Sequence, residues 1–142
     1  MLRIMGLDLG DKTIGVSISD ETKLIAQGLC TIKRKSLEED LTSLRKIIED
    51  NNISEVVIGL PKNMDNTIGI RGNKSIEFAE IIRENFKAAE VILWDERLTT
   101  VFAERTLLEA NVKRKNRKKV IDKIAAVLIL QNYLDSLFNL KS

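Results

Sequence analysis

Two β-type runs near the start of the chain are separated by only three residues, and this short spacing constrains the fold more than any other feature of the sequence. The first run, LRIMGLDL (residues 2–9), has apolar residues at both odd and even positions, which predicts a strand buried on both faces. The second, TIGVSISD (residues 13–20), alternates apolar residues with small or polar ones, which is typical of a strand with one wet face. Because the Gly-Asp-Lys turn between them is too short for a crossover connection, we expect the two strands to form an antiparallel hairpin.

The periodicity of the remaining sequence predicts a third antiparallel strand and then alternating helices and strands. Ser36 and Glu39 form a capping box, and apolar residues recur at helical spacing after it, so a helix is expected from Ser36 to the segment EDNN. The other expected elements are strands over about residues 24–32, 55–61 and 90–94, a polar loop over 62–73, and helices over 75–86, 100–111 and 120–140. No linker, repeat or low-complexity segment divides the chain, so we expect a single α/β domain over residues 1–142.

The composition favours a cytoplasmic protein and excludes histidine chemistry. Basic and acidic residues number 23 and 21, so the net charge does not indicate a nucleic-acid binder, and any such argument needs local clustering. The single cysteine, Cys30, cannot form an internal disulfide and is expected to be a small core residue. Asp8 interrupts the N-terminal apolar stretch, and no apolar run approaches the ~20 residues that span a bilayer, so neither a secretory signal nor a membrane segment is expected. Without histidine, chemistry must use carboxylates, hydroxyls or lysine.

Acidic side chains are expected to gather at the edge where the parallel strands end. Asp8 lies inside an apolar run, Asp95 and Glu96 directly follow the strand EVILW, and Asp122 is on the apolar face of the last helix. Successive strand residues point to opposite faces, so only one of Asp95 and Glu96 can face the same side as Asp8, and Glu96 has the longer reach. Each acid also has a structural interpretation, because turn amides could satisfy Asp8 and a helix N-terminus favours the others.

Three such carboxylates would form a hard oxygen site. Burying an ionised carboxylate costs several kcal/mol unless it is paired, hydrogen-bonded or bound to a metal. Oxygen ligands suit Mg²⁺ or Mn²⁺, and such ions can activate water and stabilise the departing oxygen of a phosphodiester. We therefore predict Asp8, Glu96 and Asp122 as catalytic metal ligands, with Asp95 as the alternative to Glu96.

A basic run precedes Asp122. It is either a solvated face or a phosphate-binding segment, and few aromatic residues are available for base stacking. Together with Lys12 and Arg97, it is predicted to position nucleic-acid phosphates next to the metal. The residues of the run are Lys113, Arg114, Lys115, Arg117, Lys118 and Lys119.

Four motifs of the chain resemble those of the YqgF family, also called RuvX, in order and spacing. They are GLDLGDKTIGVSISD, VVIGLPKNMDNTIG, WDERLTT and IDKIAAVLIL, and together they span nearly the whole chain. The resemblance implies an RNase H-like fold, with a five-stranded mixed sheet in the order 3-2-1-4-5, first three strands antiparallel, flanked by helices. It also implies that the acidic site falls on Asp8, Glu96 and Asp122. In that strand order the ends of strands one and five lie ~10 Å apart, too far for one metal unless twist and side-chain length close the gap.

The function implied by the resemblance is that of a metal-dependent nuclease using Mg²⁺ or Mn²⁺. The expected substrate is structured RNA, and the expected reaction is the processing of the 5′ end of pre-16S rRNA in precursor ribosomal particles. Kinship to RuvC implies a second possible activity, that of a Holliday junction resolvase, which requires a symmetric dimer. The protein is therefore expected to be a homodimer if it is a resolvase and otherwise a monomer or homodimer. No membrane partner is expected. Two alternatives of another class are a non-catalytic RNA- or ribosome-binding protein and a nucleotide-binding module, since LDLGDKTIG also resembles the phosphate loop of actin and hexokinase. Asp65 could supply a fourth carboxylate.

Overall fold

A five-stranded mixed sheet forms the centre of the protein. The computed structural model describes residues 2–63, 65–98 and 117–141, with the backbone alone for 98, 117–120, 140 and 141. The strand order is β3-β2-β1-β4-β5, with β1, β2 and β3 antiparallel and with β4 and β5 parallel to β1. This confirms the predicted hairpin and sheet order. The strands are β1 (Arg3–Leu9), β2 (Thr13–Ser19), β3 (Ala26–Lys33), β4 (Ile53–Leu60) and β5 (Glu90–Asp95).

Helices cover both faces of the sheet. The backbone amide of Glu39 donates to the Ser36 hydroxyl at 3.1 Å, so the predicted cap begins the first helix. The predicted helix over 100–111 lies outside the described residues. The described helices are α1 (Leu37–Asp50) and α2 (Ile70–Asn85) on one face and α3 (Arg117–Lys141) on the other. Among the residues described, none of these helices is both long and apolar enough to cross a membrane.

Helix α2 begins at Ile70, five residues before the predicted start. Its first turn contains Gly72, a residue that favours a loop in the sequence. A Cβ on Gly72 would lie only 2.7 Å from the carbonyl oxygen of Pro61, at the end of β4. The glycine therefore allows close approach of helix and strand, a tertiary requirement that outweighs helix propensity. Helix α3 likewise begins at Arg117, before the predicted Val120.

Strand β2 is buried along its whole length, so the predicted wet face is wrong. Helix α3 covers that face. The Ser17 hydroxyl donates to the carbonyl oxygen of Ala126 at 2.7 Å, and a Cβ on Gly15 would overlap the carbonyl group of Asp122. Small and hydroxyl-bearing residues thus allow a helix backbone to lie directly on the strand, where alternation alone suggests solvent.

The sheet separates two apolar clusters, and the alternation of β1 decides which residues face each one. Met5 and Leu7 pack with α1 and α2, whereas Ile4 packs with α3. Asp8 has the same parity as Ile4 and therefore faces α3. Cys30 is a free, half-buried cysteine packed against the first cluster.

Candidate active site

Three buried carboxylates lie on the α3 side of the sheet. Asp8 is the penultimate residue of β1, Glu96 begins a 3-10 turn (Glu96–Leu98) directly after β5, and Asp122 is in the second turn of α3. Their exposed fractions are 1%, 2% and 7%. Burying a carboxylate in its ionised form is unfavourable unless a hydrogen bond, a cation or a metal ion compensates for the lost water.

Gly59 allows the carboxylate of Glu96 to lie over β4, in the sheet. A Cβ on Gly59 would lie 2.8 Å from Oε1 of Glu96 and 2.5 Å from Cδ1 of Ile129 on α3. The Glu96 carboxylate therefore occupies the space that a side chain on β4, the strand between β1 and β5, would fill. Gly59 is not among the site residues predicted from the sequence, although a glycine inside the β-branched run EVVIGLP is a signal of close approach.

Asp122 stands over the β1–β2 turn. The Thr13 hydroxyl donates to Oδ2 of Asp122, and the same oxygen lies 3.7 Å from the position that a Cβ on Gly10 would take. Asp8 pairs with Gly15 across the β1–β2 ladder, and Gly15 lies directly beneath the Asp122 carbonyl. Asp8 and Asp122 thus approach the same part of the hairpin from the strand and from the helix.

Asp95 has a different environment from Glu96. Its carboxylate accepts hydrogen bonds from Arg97, with Nη2 to Oδ2 at 2.8 Å, and lies 3.7 Å from Nζ of Lys62. Hydrogen bonds from the Arg97 side chain hold the pKa of Asp95 below its usual value. Of the two neighbouring acids, the structure thus places Glu96 on the α3 side and gives Asp95 an ion pair. Asp65 is exposed and accepts hydrogen bonds from Thr67, which lower its pKa.

The predicted phosphate contacts are spread over three parts of the chain. Arg97 donates to Asn63 O at 3.3 Å and to Asn66 Oδ1 at 2.7 Å, so it connects the end of β5 with the β4–α2 loop. Lys12 is exposed in the β1–β2 turn. Lys113, Arg114 and Lys115 lie outside the described residues. The backbone of Arg117, Lys118 and Lys119 forms the first turn of α3, which corrects the expectation of a segment separate from that helix.

The donor groups fit a hard divalent cation by their chemistry. Carboxylates and a neighbouring hydroxyl are the ligands that Mg²⁺ and Mn²⁺ prefer. In the part of the chain that the structure describes, no three Asp, Glu, Cys or His side chains stand close enough together to hold one ion jointly. The convergence of Asp8, Glu96 and Asp122 on one metal therefore stays a prediction.

Comparisons with known proteins agree with this architecture. The family model described as RuvX, Holliday junction resolvase, matches residues 2–136. Curated relatives from Thermoanaerobacter pseudethanolicus and Clostridium novyi, both named "Putative pre-16S rRNA nuclease", are 57% and 50% identical over 136 residues. The alignments cover 95% of this chain and 97% of the first relative, and 96% of this chain and 100% of the second.

A solved structure has the same fold. T. thermophilus RuvC in complex with a Holliday junction substrate aligns over 96% of both chains with a TM-score of 0.59. Its identity to this chain is 12%, so this likeness concerns the fold alone. The RNase H-like fold is thereby confirmed. Because the family model matches nearly the whole sequence and the relatives are at least half identical to it, this chain belongs to the RuvX family.

Proposed function

We propose that the protein is a metal-dependent nuclease that hydrolyses phosphodiester bonds in structured RNA, in 5′-end processing of pre-16S rRNA. The observation that carries the proposal is the burial of Asp8, Glu96 and Asp122 on one side of the sheet, with exposed fractions of 7% or less. The names of relatives that are 50% and 57% identical support the RNA substrate. Action on a ribosomal precursor would place the protein in the cytoplasm.

In this proposal the three carboxylates would hold Mg²⁺ or Mn²⁺. The bound ion would supply an activated water and stabilisation of the departing oxygen. Asp8 and Glu96 would act from the strand ends and Asp122 from α3, whereas Asp95 remains in its ion pair with Arg97. Since the chain has no histidine, a second water or a substrate phosphate would accept the proton.

Substrate phosphates would be held by cations around this edge of the sheet. Lys12 is exposed in the turn beside the Asp122 carboxylate, and Arg97 lies after Glu96. The basic run, residues 113–119, extends along the sequence into the first turn of the helix that bears Asp122. Contacts of this kind add salt-sensitive affinity without sequence preference.

A second candidate is cleavage of four-way DNA junctions. It is favoured by the description of the matching family and by the RuvC fold. This reaction cuts two strands symmetrically and therefore requires a homodimer, whereas RNA trimming is compatible with a monomer. The same carboxylates would serve both reactions.

Matched variants at neighbouring positions test the proposal. Wild type, Glu96→Gln and Asp95→Asn would be incubated with a small-subunit rRNA precursor and with a four-way junction, each with Mg²⁺, Mn²⁺ or chelator. We expect Glu96→Gln to lose roughly a hundredfold or more in rate, since a metal contributes several kcal/mol to the transition state. Asp95→Asn, which removes the adjacent acid, is expected to keep the metal dependence.

The outcomes separate the candidates. Cleavage of the precursor alone supports RNA processing, and cleavage of the junction by a dimer supports the resolvase. Equal losses in Asp95→Asn and Glu96→Gln would contradict the assignment of Glu96. A wild-type protein that binds the precursor but cuts neither substrate with any metal would show a binding function instead.

A further inference from the structure

A fourth buried carboxylate, Asp40, lies on the opposite side of the sheet from the candidate site. It is in the first turn of α1 and is 2% exposed. Its Oδ2 accepts a hydrogen bond from Nε of Arg34 at 3.3 Å, and its Oδ1 accepts one from the backbone amide of Lys35 at 3.1 Å. Because a buried carboxylate needs a partner, Asp40 restricts the guanidinium of Arg34 to one position.

Arg34 is bonded twice to the β1–β2 turn. Its Nη1 donates to the carbonyl oxygen of Gly10 at 2.9 Å, and its backbone amide donates to the carbonyl oxygen of Lys12 at 2.8 Å. Its Cζ also lies 5.7 Å from the centroid of the Phe78 ring. The side chain therefore contacts a carboxylate, a ring and a turn at once, which the planar, forked guanidinium can do and a lysine ammonium cannot.

The turn that Arg34 holds is the turn beneath Asp122. Gly10 N donates to Thr13 O at 2.8 Å, which closes the turn, and the Thr13 hydroxyl donates to Asp122 Oδ2. A continuous series of contacts thus leads from Asp40 through Arg34 and the turn to the Asp122 carboxylate. It crosses from the α1 side of the sheet to the α3 side.

We propose that Arg34, oriented by Asp40, is a positioning residue for the metal site. It would hold the β1–β2 turn so that Thr13 keeps the Asp122 carboxylate in place for a divalent cation. This inference rests on the proposed function, because it concerns the affinity of the same site. Groups that orient metal ligands typically contribute about 10–100-fold to affinity.

The test measures Mn²⁺ binding directly, by titration calorimetry of the free protein without substrate. Arg34→Met keeps an apolar stem over Phe78 and removes the guanidinium. We expect its dissociation constant for Mn²⁺ to rise about 10–100-fold. Arg45→Met is the matched control, because Arg45 stacks on the Phe86 ring at 4.9 Å on the same side of the sheet. Its affinity for Mn²⁺ should equal that of wild type.

Two further variants separate positioning from stability. Arg34→Lys keeps a positive charge beside Asp40, so Mn²⁺ binding can be measured with this variant if Arg34→Met does not fold. It should still bind Mn²⁺ more weakly than wild type, because one ammonium group cannot bond both Asp40 and Gly10. Asp40→Asn should weaken binding in the wild-type background but add nothing in the Arg34→Lys background, if Asp40 acts only through the guanidinium.

The failure of this inference differs from the failure of the proposed function. If wild type binds Mn²⁺ and both Arg34 variants bind it equally well, with only the unfolding midpoint lowered, then Arg34 and Asp40 are structural and the inference is wrong. If wild type binds neither Mn²⁺ nor Mg²⁺ with or without RNA, the metal-dependent function fails and the positioning role fails with it.

Discussion

Gly59→Ala would test whether the position of the Glu96 carboxylate, and not its presence alone, determines metal binding. The added methyl group would lie 2.8 Å from Oε1 and 3.2 Å from Cγ of Glu96. An ordinary contact begins at 3.4 Å, so the carboxylate oxygen must retreat by about 0.6 Å. Glu96 itself is unchanged, which makes this substitution a test of geometry.

The expected effects on stability and function differ in size. The methyl group would also lie 2.5 Å from Cδ1 of Ile129, at the end of a side chain that can rotate. Overpacking of this kind costs about 1–3 kcal/mol, and we expect the lower end because both displaced groups are side-chain ends. A misplacement of ~1 Å can cost about a hundredfold in a catalytic site, so a shift of about 0.6 Å should cost about 10–100-fold in Mn²⁺ affinity and in cleavage rate.

The measurements are urea unfolding and Mn²⁺ titration, with Gly69→Ala as the control. A Cβ on Gly69 would have its nearest neighbours at 3.7 and 3.9 Å, so there is room for it. Since Gly69 is the N-cap of α2, the control should lose less than about 1 kcal/mol. It should bind Mn²⁺ like wild type. A Gly59→Ala protein with unaltered Mn²⁺ affinity would refute the reasoning that places Glu96 at the metal.

Three further predictions concern the fold. Gly15→Ala would press a methyl group into the carbonyl of Asp122, so the free energy of unfolding should fall by at least about 2–3 kcal/mol in urea titration. If it fell by less than in Gly69→Ala, the close docking of α3 on β2 would be contradicted. Burial and two nearby carboxylates raise the pKa of Tyr133, the single tyrosine, to about 12. Its contribution to stability is therefore complete below pH 10 and is lost as the pH rises through 12. An absorbance titration with a midpoint near 10 would contradict this. Hydrogen bonds from the β2–β3 turn, among them that from the Ile25 amide, lower the pKa of Asp20 to about 2. The Ile25 amide should therefore stay protected from hydrogen exchange below pH 3.8 and lose its protection only toward pH 2. Loss of protection at about pH 4 would contradict this.

Several predictions depended on local pattern and agree with the structure. The three-residue Gly-Asp-Lys turn required an antiparallel hairpin, since no crossover fits that length. The capping box placed the N-cap of α1 at Ser36, because the cap depends on residues that are near in sequence. Strand alternation predicted that Asp95 and Glu96 face different sides, and the structure places the two acids in different surroundings, with Glu96 in the 3-10 turn that follows β5.

Other features could not be predicted from local pattern. The wet face assigned to β2 is covered by α3, a helix more than 100 residues later in the chain, as the Ser17–Ala126 contact illustrates. Gly72 favours a loop by propensity but lies inside α2, because the helix packs against the end of β4. The role of Gly59 depends on a carboxylate from the next strand. Each of these features depends on which helices and strands pack against each other in the folded chain.

The sequence by itself determined the types of the described helices and strands, the hairpin and the family, because these depend on residue spacing, side-chain type and motifs. Only the tertiary structure decided that Glu96 reaches across Gly59 and that Thr13 holds Asp122. It also decided that Arg34 and Asp40 support the turn from the other side of the sheet. These contacts join residues that are distant along the chain, and their geometry is set by how closely helices and strands can approach one another.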